Sequence, residues 1–149
     1  MYAIDTLRRM KIVITGASGQ LGRALQRALV SHDVRPLHRA TALRHALAEL
    51  NAVPPDVIIH AAALTNTQRC EANSYEAYQV NGKAVGRMAE LARELGARLV
   101  AISTNEVFAG NAREPLAEDA ATNTVNTYGA SKLLGERLAM ETLPERSLI

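Results

Sequence analysis

Two hydrophobic periods alternate along this chain. Ile12, Val13 and Ile14 form a β-branched run that reads as a buried strand, and Leu21, Ala24, Leu25, Ala28 and Leu29 then recur at helical spacing. Asp33 to His38 (DVRPLH) occupies the place of a second strand. Thr41 to Leu50 (TALRHALAEL) returns to a helical period and ends before Pro54 and Pro55, which cannot continue a helix. Val57 to His60 reads as another buried strand, running into Ala61, Ala62 and Ala63. Ser74 to Leu95 is the longest helical pattern, with Tyr78, Val85, Met88, Ala92 and Leu95 on one stripe and Gly96 as its stop. Arg98 to Ser103 (RLVAIS) is the next strand, Glu106 to Val125 a long loop, and Thr127 to Met140 a helix. A further strand begins at Ser147-Leu148-Ile149. Strand and helix in alternation predict an α/β fold: a doubly wound parallel sheet in three αβα layers.

Composition narrows the function classes. A chain of 149 residues, 48% hydrophobic, has room for one domain with a real core. The net charge is +2 with arginines scattered along the helices, which gives no nucleic-acid surface. The single cysteine, Cys70, excludes an internal disulfide and fits a reducing compartment. No apolar run is long enough for a membrane span, and Met1 to Arg9 lacks the apolar region of a signal peptide. The expectation is a soluble, cytoplasmic protein without membrane contact. Met1 to Arg9 reads as a loose extension, with Met10 as a candidate translation start and residues 10–149 as the folded domain. His32, His38, His45 and His60 lack metal-ligand spacing, so no metal is expected.

The chemistry concentrates at strand ends. Gly16, Gly19 and Gly22 follow the first strand at three-residue spacing and open a helix. In a dinucleotide loop the first glycine permits the tight turn, the second lets a pyrophosphate approach the backbone, and the third allows close helix packing. The helix N-terminus then offers unpaired N–H groups to the anion. A ligand-free glycine turn is the alternative. An NAD site places an acid about 20 residues beyond the loop to bind the ribose 2′-hydroxyl. Here His38 and Arg39 stand there, and a guanidinium can grip a 2′-phosphate, so NADP (NADPH) is favoured over NAD. Ala61, Ala62 and Ala63 leave space for a cofactor over a strand end, or pack tightly without one. Asn81 lies inside the long helix, in a polar role or facing solvent. The hydroxyls of Ser103 and Thr104 follow a strand and face the ligand crevice. Tyr128 and Lys132, four residues apart, share one helix face. Poising a phenol for proton transfer near neutrality takes roughly 3 pH units, or about 4 kcal/mol, and an adjacent ammonium supplies part of it.

Taken in order, GASGQLG (Gly16 to Gly22), DVIIHAAALTNTQRCE (Asp56 to Glu71), Val80-Asn81, ISTNEVFAG (Ile102 to Gly110) and NTYGASKLLGE (Asn126 to Glu136) carry a family signature. From Met10 onward the chain resembles the extended short-chain dehydrogenase/reductase family, and within it the RmlD-like dTDP-4-dehydrorhamnose reductases. The resemblance implies a Rossmann fold and an NADPH-dependent oxidoreductase acting on a nucleotide-activated 4-keto-6-deoxy sugar. It implies that Tyr128 protonates the C4 oxygen, that Lys132 holds the nicotinamide ribose, and that Thr104 binds the keto oxygen. Cofactor contacts would come from Gly16, Ser18, Gly19, Gln20 and Leu21, from Arg39, from Ala61 to Ala63, and from Asn81 and Lys132. Asn105 and Glu106 would touch substrate.

Three departures qualify the picture. Asn105 and Glu106 stand where the reductases carry Asp and Tyr and the 4,6-dehydratases carry an acidic Asp and a basic Glu. Asn105 cannot act as an acid, so reduction survives this change better than elimination. The adenine-contacting Asp-x-x-Asp segment is lacking after Arg39, and no carboxylate follows the loop to bind magnesium. Family members are nearly twice as long, so the chain reads as the cofactor half without the C-terminal substrate domain. A dehydratase or epimerase with retained NAD(P), and a non-catalytic NADP-binding regulatory subunit, remain the competing readings. A homodimer is one arrangement left open.

Overall fold

The β-branched run at the head of the chain is buried on both faces: Ile12, Val13 and Ile14 are each at most 3% exposed. Such a strand needs a layer on either side, and the remaining elements supply them. The computed structural model describes residues 8–37, 50, 52–110, 115–117 and 119–149. In chain order these form β1 (Lys11–Thr15), α1 (Gln20–Ala28), β2 (Asp33–Leu37), β3 (Val57–His60), α2 (Thr67–Ala72) and α3 (Ser74–Ala77). A π-helical segment (Tyr78–Lys83), α4 (Ala84–Leu95), β4 (Arg98–Ala101), a 3-10 turn (Asn105–Val107), α5 (Thr127–Thr142) and β5 (Ser147–Leu148) follow.

The five described strands are all parallel, in the order β2-β1-β3-β4-β5. Ile14 lies between Pro36 and Ile59. Proline cannot donate to a ladder, and β2 is accordingly the outermost strand of the described sheet on its side. Alternate residues serve opposite layers. Val13, Ile58 and Leu99 join Val85, Met88 and Leu91 of α4 and Ala139 of α5 in one core. Ile12, Ile14 and Ile59 form the other, against Met10 and against Leu25 and Leu29 near α1. This is the doubly wound Rossmann arrangement that strand and helix alternation predicts.

The long helical pattern is present from Ser74 to Leu95, but as α3, a π-helical segment and α4 in succession. Gly96 ends it in the left-handed region at φ +70°. The π segment carries Asn81 and Gly82, both buried, against α5. A Cβ at Gly135 would lie 2.6 Å from the Asn81 carbonyl oxygen, so glycine is what lets α5 approach this segment. Cys70 is completely buried. Contacts begin before Met10, since Arg8 pairs with Asp56 at 3.1 Å.

The helix expected over residues 41–50 lies outside the described residues except for Leu50, which is fully buried. The His38–Arg39 pair and residues 111–114 of the long loop also lie outside them. Among the described residues no helix is long and apolar enough to cross a membrane. The chain leaves β1 for β2 on one side and returns to β3 on the other, so a switch point lies at the carboxyl ends of β1 and β3. Ligands of open parallel sheets bind in that crevice.

Candidate functional site

A cavity of about 530 Å3 opens at the switch point. The turn after β1 contributes Gly19, Gln20, Leu21 and Gly22; the chain after β3 contributes Ala61, Ala62 and Ala63. Ala24 of α1, Thr65, Ile102 and Ser103 beyond β4, and Tyr128 and Lys132 of α5 complete the wall. The volume lies within the usual range of about 300 to 1,000 Å3 for small-molecule sites.

The glycine turn is built by close approach. Gly16 has φ +69°, and a Cβ there would lie 2.6 Å from the Ala62 nitrogen. A Cβ at Gly22 would come 2.3 Å from the Gly16 carbonyl oxygen. The third glycine thus seats α1 directly on the turn. Gln26 locks it there, donating from Nε2 to the carbonyls of Ala17 at 2.8 Å and Gly22 at 3.0 Å. Arg23 donates to the Ser18 carbonyl at 2.5 Å. No acidic residue lies in the first turn of α1, so its positive end faces the cavity without a competing carboxylate. Gly19 is the N-cap, and a Cβ there would meet only the Gly16 oxygen, at 3.2 Å. These residues fit a dinucleotide phosphate: bare backbone, a helix N-terminus and a low alanine wall.

Three connections fix the start of α5. Asn126 is its N-cap, its Oδ1 accepting the Gly129 N–H at 2.7 Å. Glu106 Oε2 accepts from Asn126 Nδ2 at 2.6 Å, and a Cβ at Gly129 would lie 2.1 Å from the Glu106 carbonyl oxygen. Glu71 accepts from the Thr127 N–H at 2.6 Å and from its hydroxyl at 2.8 Å. Those two bonds hold the Glu71 carboxyl below its ordinary pKa. Tyr128 follows immediately and Lys132 one turn later.

Lys132 is 4% exposed, and its Nζ donates to the Ile102 carbonyl. Burial lowers its pKa; the charge of Glu136 opposes the shift. The Ser103 hydroxyl donates to Glu136 Oε1. His60, at the end of β3, is buried, with Nδ1 2.7 Å from Thr15 Oγ1. Its buried Nε2 has no hydrogen-bond partner among the described residues. Burial first, then the charges of Lys132 and Arg87, lowers its pKa to about 4.

The cavity brings together Gly19, Gln20, Leu21, Ala61 to Ala63, Tyr128 and Lys132 of the sequence-expected residues. Gly16 packs on the backbone of Ala61 and Ala62, and the Ser18 carbonyl is held by Arg23. Asn81 does not face solvent: it is 0% exposed and exchanges bonds with the Leu64 backbone, at 2.7 Å as acceptor and 3.0 Å as donor. A second donation to Ser131 Oγ at 3.0 Å makes it a clamp between the post-β3 chain, the π segment and α5. Of the two hydroxyls after β4, Ser103 faces the cavity. That of Thr104 caps the 3-10 turn, accepting the Glu106 N–H at 3.3 Å. Asn105 is exposed, and the Glu106 carboxylate is engaged by Asn126. Sequence reasoning passed over Glu71, Asn126 and Glu136. An Asn directly before a helix is an N-cap signal, and Glu136 stands four residues beyond Lys132, so those two were within reach.

A family model described as the RmlD substrate binding domain matches residues 10–149. The chain is 43% identical over 138 residues to the dTDP-4-dehydrorhamnose reductase of Burkholderia thailandensis, covering 89% of this chain and 46% of that protein. It is 35% identical to the Escherichia coli protein of the same name, covering 89% and 47%. Among solved structures, the dTDP-4-dehydrorhamnose reductase of Bacillus anthracis in complex with NADP aligns with a TM-score of 0.86 at 32% identity, covering 93% of this chain and 51% of that one. The Clostridium acetobutylicum enzyme aligns at 0.83 and 36% identity, covering 93% and 51%. The chain spans about half the length of the curated relatives it matches. With nearly its whole length inside the family match and the parallel sheet shared with these structures, this chain belongs to the RmlD substrate-binding-domain family.

Proposed function

We propose that this chain carries the dinucleotide-binding and proton-donating portion of an NADPH-dependent reductase of a nucleotide-activated 4-keto-6-deoxy sugar. The observation that carries the reading is that Tyr128 and Lys132 line the same cavity as the glycine turn and the N-terminus of α1. Backbone at Gly19 to Gly22 would hold the pyrophosphate, and Ala61 to Ala63 would let the dinucleotide cross the sheet edge. Arg39, placed by sequence after β2, would grip the 2′-phosphate that distinguishes NADP; the Bacillus anthracis relative is itself a complex with NADP. Held by these residues, NADPH would supply the hydride for C4. Tyr128 donates the proton to the C4 oxygen. The Lys132 ammonium favours the negative charge that develops on the phenol oxygen as that proton leaves, and it has further N–H groups beyond the one held by Ile102 to offer a ribose. Thr104, whose oxygen accepts the Glu106 N–H, has its own hydroxyl proton to offer the keto oxygen, and the exposed Asn105 would touch the sugar beside it.

Asn105 supports reduction over elimination, because its amide cannot serve as the acid a dehydratase needs, while Glu106 is bonded through Oε2 to the cap of α5 at 2.6 Å. The test is NADPH oxidation with dTDP-4-dehydrorhamnose by the gene product that carries this chain. Tyr128→Phe should lower turnover by about 100-fold or more while leaving NADPH affinity nearly unchanged. Equal turnover in that variant would remove Tyr128 from the chemistry.

A further inference from the structure

Beyond Tyr128 and Lys132, the face of α5 that borders the cavity carries a third polar group at the same spacing, Glu136. Its carboxylate accepts the Ser103 hydroxyl proton, and Ser103 lines the cavity. A serine has one proton to give. With that proton committed to an acceptor-only carboxylate, the hydroxyl can offer a ligand in the cavity lone pairs alone. Ser103 is therefore an acceptor for a ligand N–H or O–H, such as a carboxamide or a sugar hydroxyl. The neighbouring Ile102 carbonyl is engaged too, by Lys132 Nζ. The two consecutive residues after β4 are thus oriented from α5, one by Lys132 and one by Glu136.

We propose that Glu136 is a positioning residue of this cavity: it supplies the counter-charge for the Lys132 ammonium and turns the lone pairs of Ser103 toward the ligand. Lys132 is 4% exposed, and burial disfavours its charged form. His60, at the end of β3, feels the Lys132 charge but cannot balance it, being neutral near pH 7 with its pKa at about 4. Tyr128, one turn earlier on α5, is the phenol to be activated. Glu136 is the anion on the same helix whose charge acts on Lys132. The hydrogen bond from Ser103 holds that carboxylate at the strand end instead of in solvent. For the catalytic consequence, the inference rests on the proposed reductase reading; its electrostatic content does not.

The Lys132 side-chain resonance is titrated by NMR in the 149-residue chain without cofactor or substrate, assigned by its loss in Lys132→Arg. Glu136→Gln keeps an oxygen that can accept from Ser103 but removes the charge, and the Lys132 pKa should fall by about one unit, a tenfold weaker hold on the proton. Glu136→Asp restores the charge and should recover most of that loss. Unchanged titration in Glu136→Gln overturns the proposal. An equal fall in both variants also overturns it, because packing and not charge would then be the cause. Should Lys132 titrate as expected while the gene product oxidises no NADPH, the reductase reading fails and the role of Glu136 stands.

Discussion

At the scale of single residues, His60 makes the fold itself sensitive to acid. Its ordinary pKa of 6.5 is lowered to about 4 in the native state by burial and by Lys132 and Arg87. Between those values the unfolded chain binds the proton and the native chain does not. Stability is therefore lost as pH falls from 6.5 toward 4, by about 3 kcal/mol at most from this group. Urea unfolding from pH 7 to pH 4 should show the slope, and His60→Gln, which can still bond Thr15, should flatten it. An identical slope in the variant would assign the acid sensitivity elsewhere. This histidine was legible as a packing residue only in kind: the sequence places it at a strand end but not beside Lys132, which lies on α5. Glycines were more legible, because a turn needing positive φ at Gly16 and close approach at Gly22 leaves no other residue type. The carboxylates were least so. Glu71 and Thr127 are 56 residues apart, and no local spacing announces their bond.

At the scale of elements, the start of α5 determines where Tyr128 stands. Asn126 carries two bonds there, its oxygen to the Gly129 N–H and its amide to Glu106. Asn126→Ala removes the cap and strips Glu106 of that partner, and it should cost about 1 to 2 kcal/mol. Amide exchange at Gly129 should quicken with it, whereas exchange in β1 and β3 should follow only the global change. Unaltered protection at Gly129 would show that Glu71 alone suffices to hold the helix start. The extents of α5 and of the Ser74–Leu95 pattern could be read from the sequence, but only α4 buries an apolar stripe, Val85, Met88, Leu91 and Ala92, whereas α5 buries Gly129, Ser131, Lys132, Gly135 and Ala139. The π segment could not be read. A stripe of apolar side chains marks which face is buried, not whether a turn closes at four residues or five, and the contacts of Asn81 and Gly135 that crowd this segment come from distant chain.

At the scale of the whole molecule, function follows from chain order. Crossing from β2 to β3 over β1 leaves a crevice at the strand ends, and the glycine turn, the alanine run, Ser103 and α5 all converge on it. Alternation of periods was enough to anticipate this sheet, because parallel strands need helical crossovers and must be buried on both faces. The sequence could not say which hydroxyl after β4 faces the crevice: Thr104 is drawn away by the N–H it caps, a competition decided by the turn. A dinucleotide site in this crevice can be blocked most cleanly at Gly19. Its φ of −70° and ψ of 169° are open to residues other than glycine, and a Cβ there would lie 3.2 Å from the Gly16 carbonyl oxygen, so the turn gives by a few tenths of an ångström and the valine methyls reach toward the cavity, with thermal melting as the control on the fold. Calorimetric titration of NADPH into the chain and into Gly19→Val decides the matter. The wild-type chain should bind saturably and one-to-one, and binding should weaken at least about tenfold, or about 1.4 kcal/mol, in a variant that melts as the wild type does. Equal affinity in the two proteins, or no saturable binding by the wild type, would contradict a dinucleotide site here.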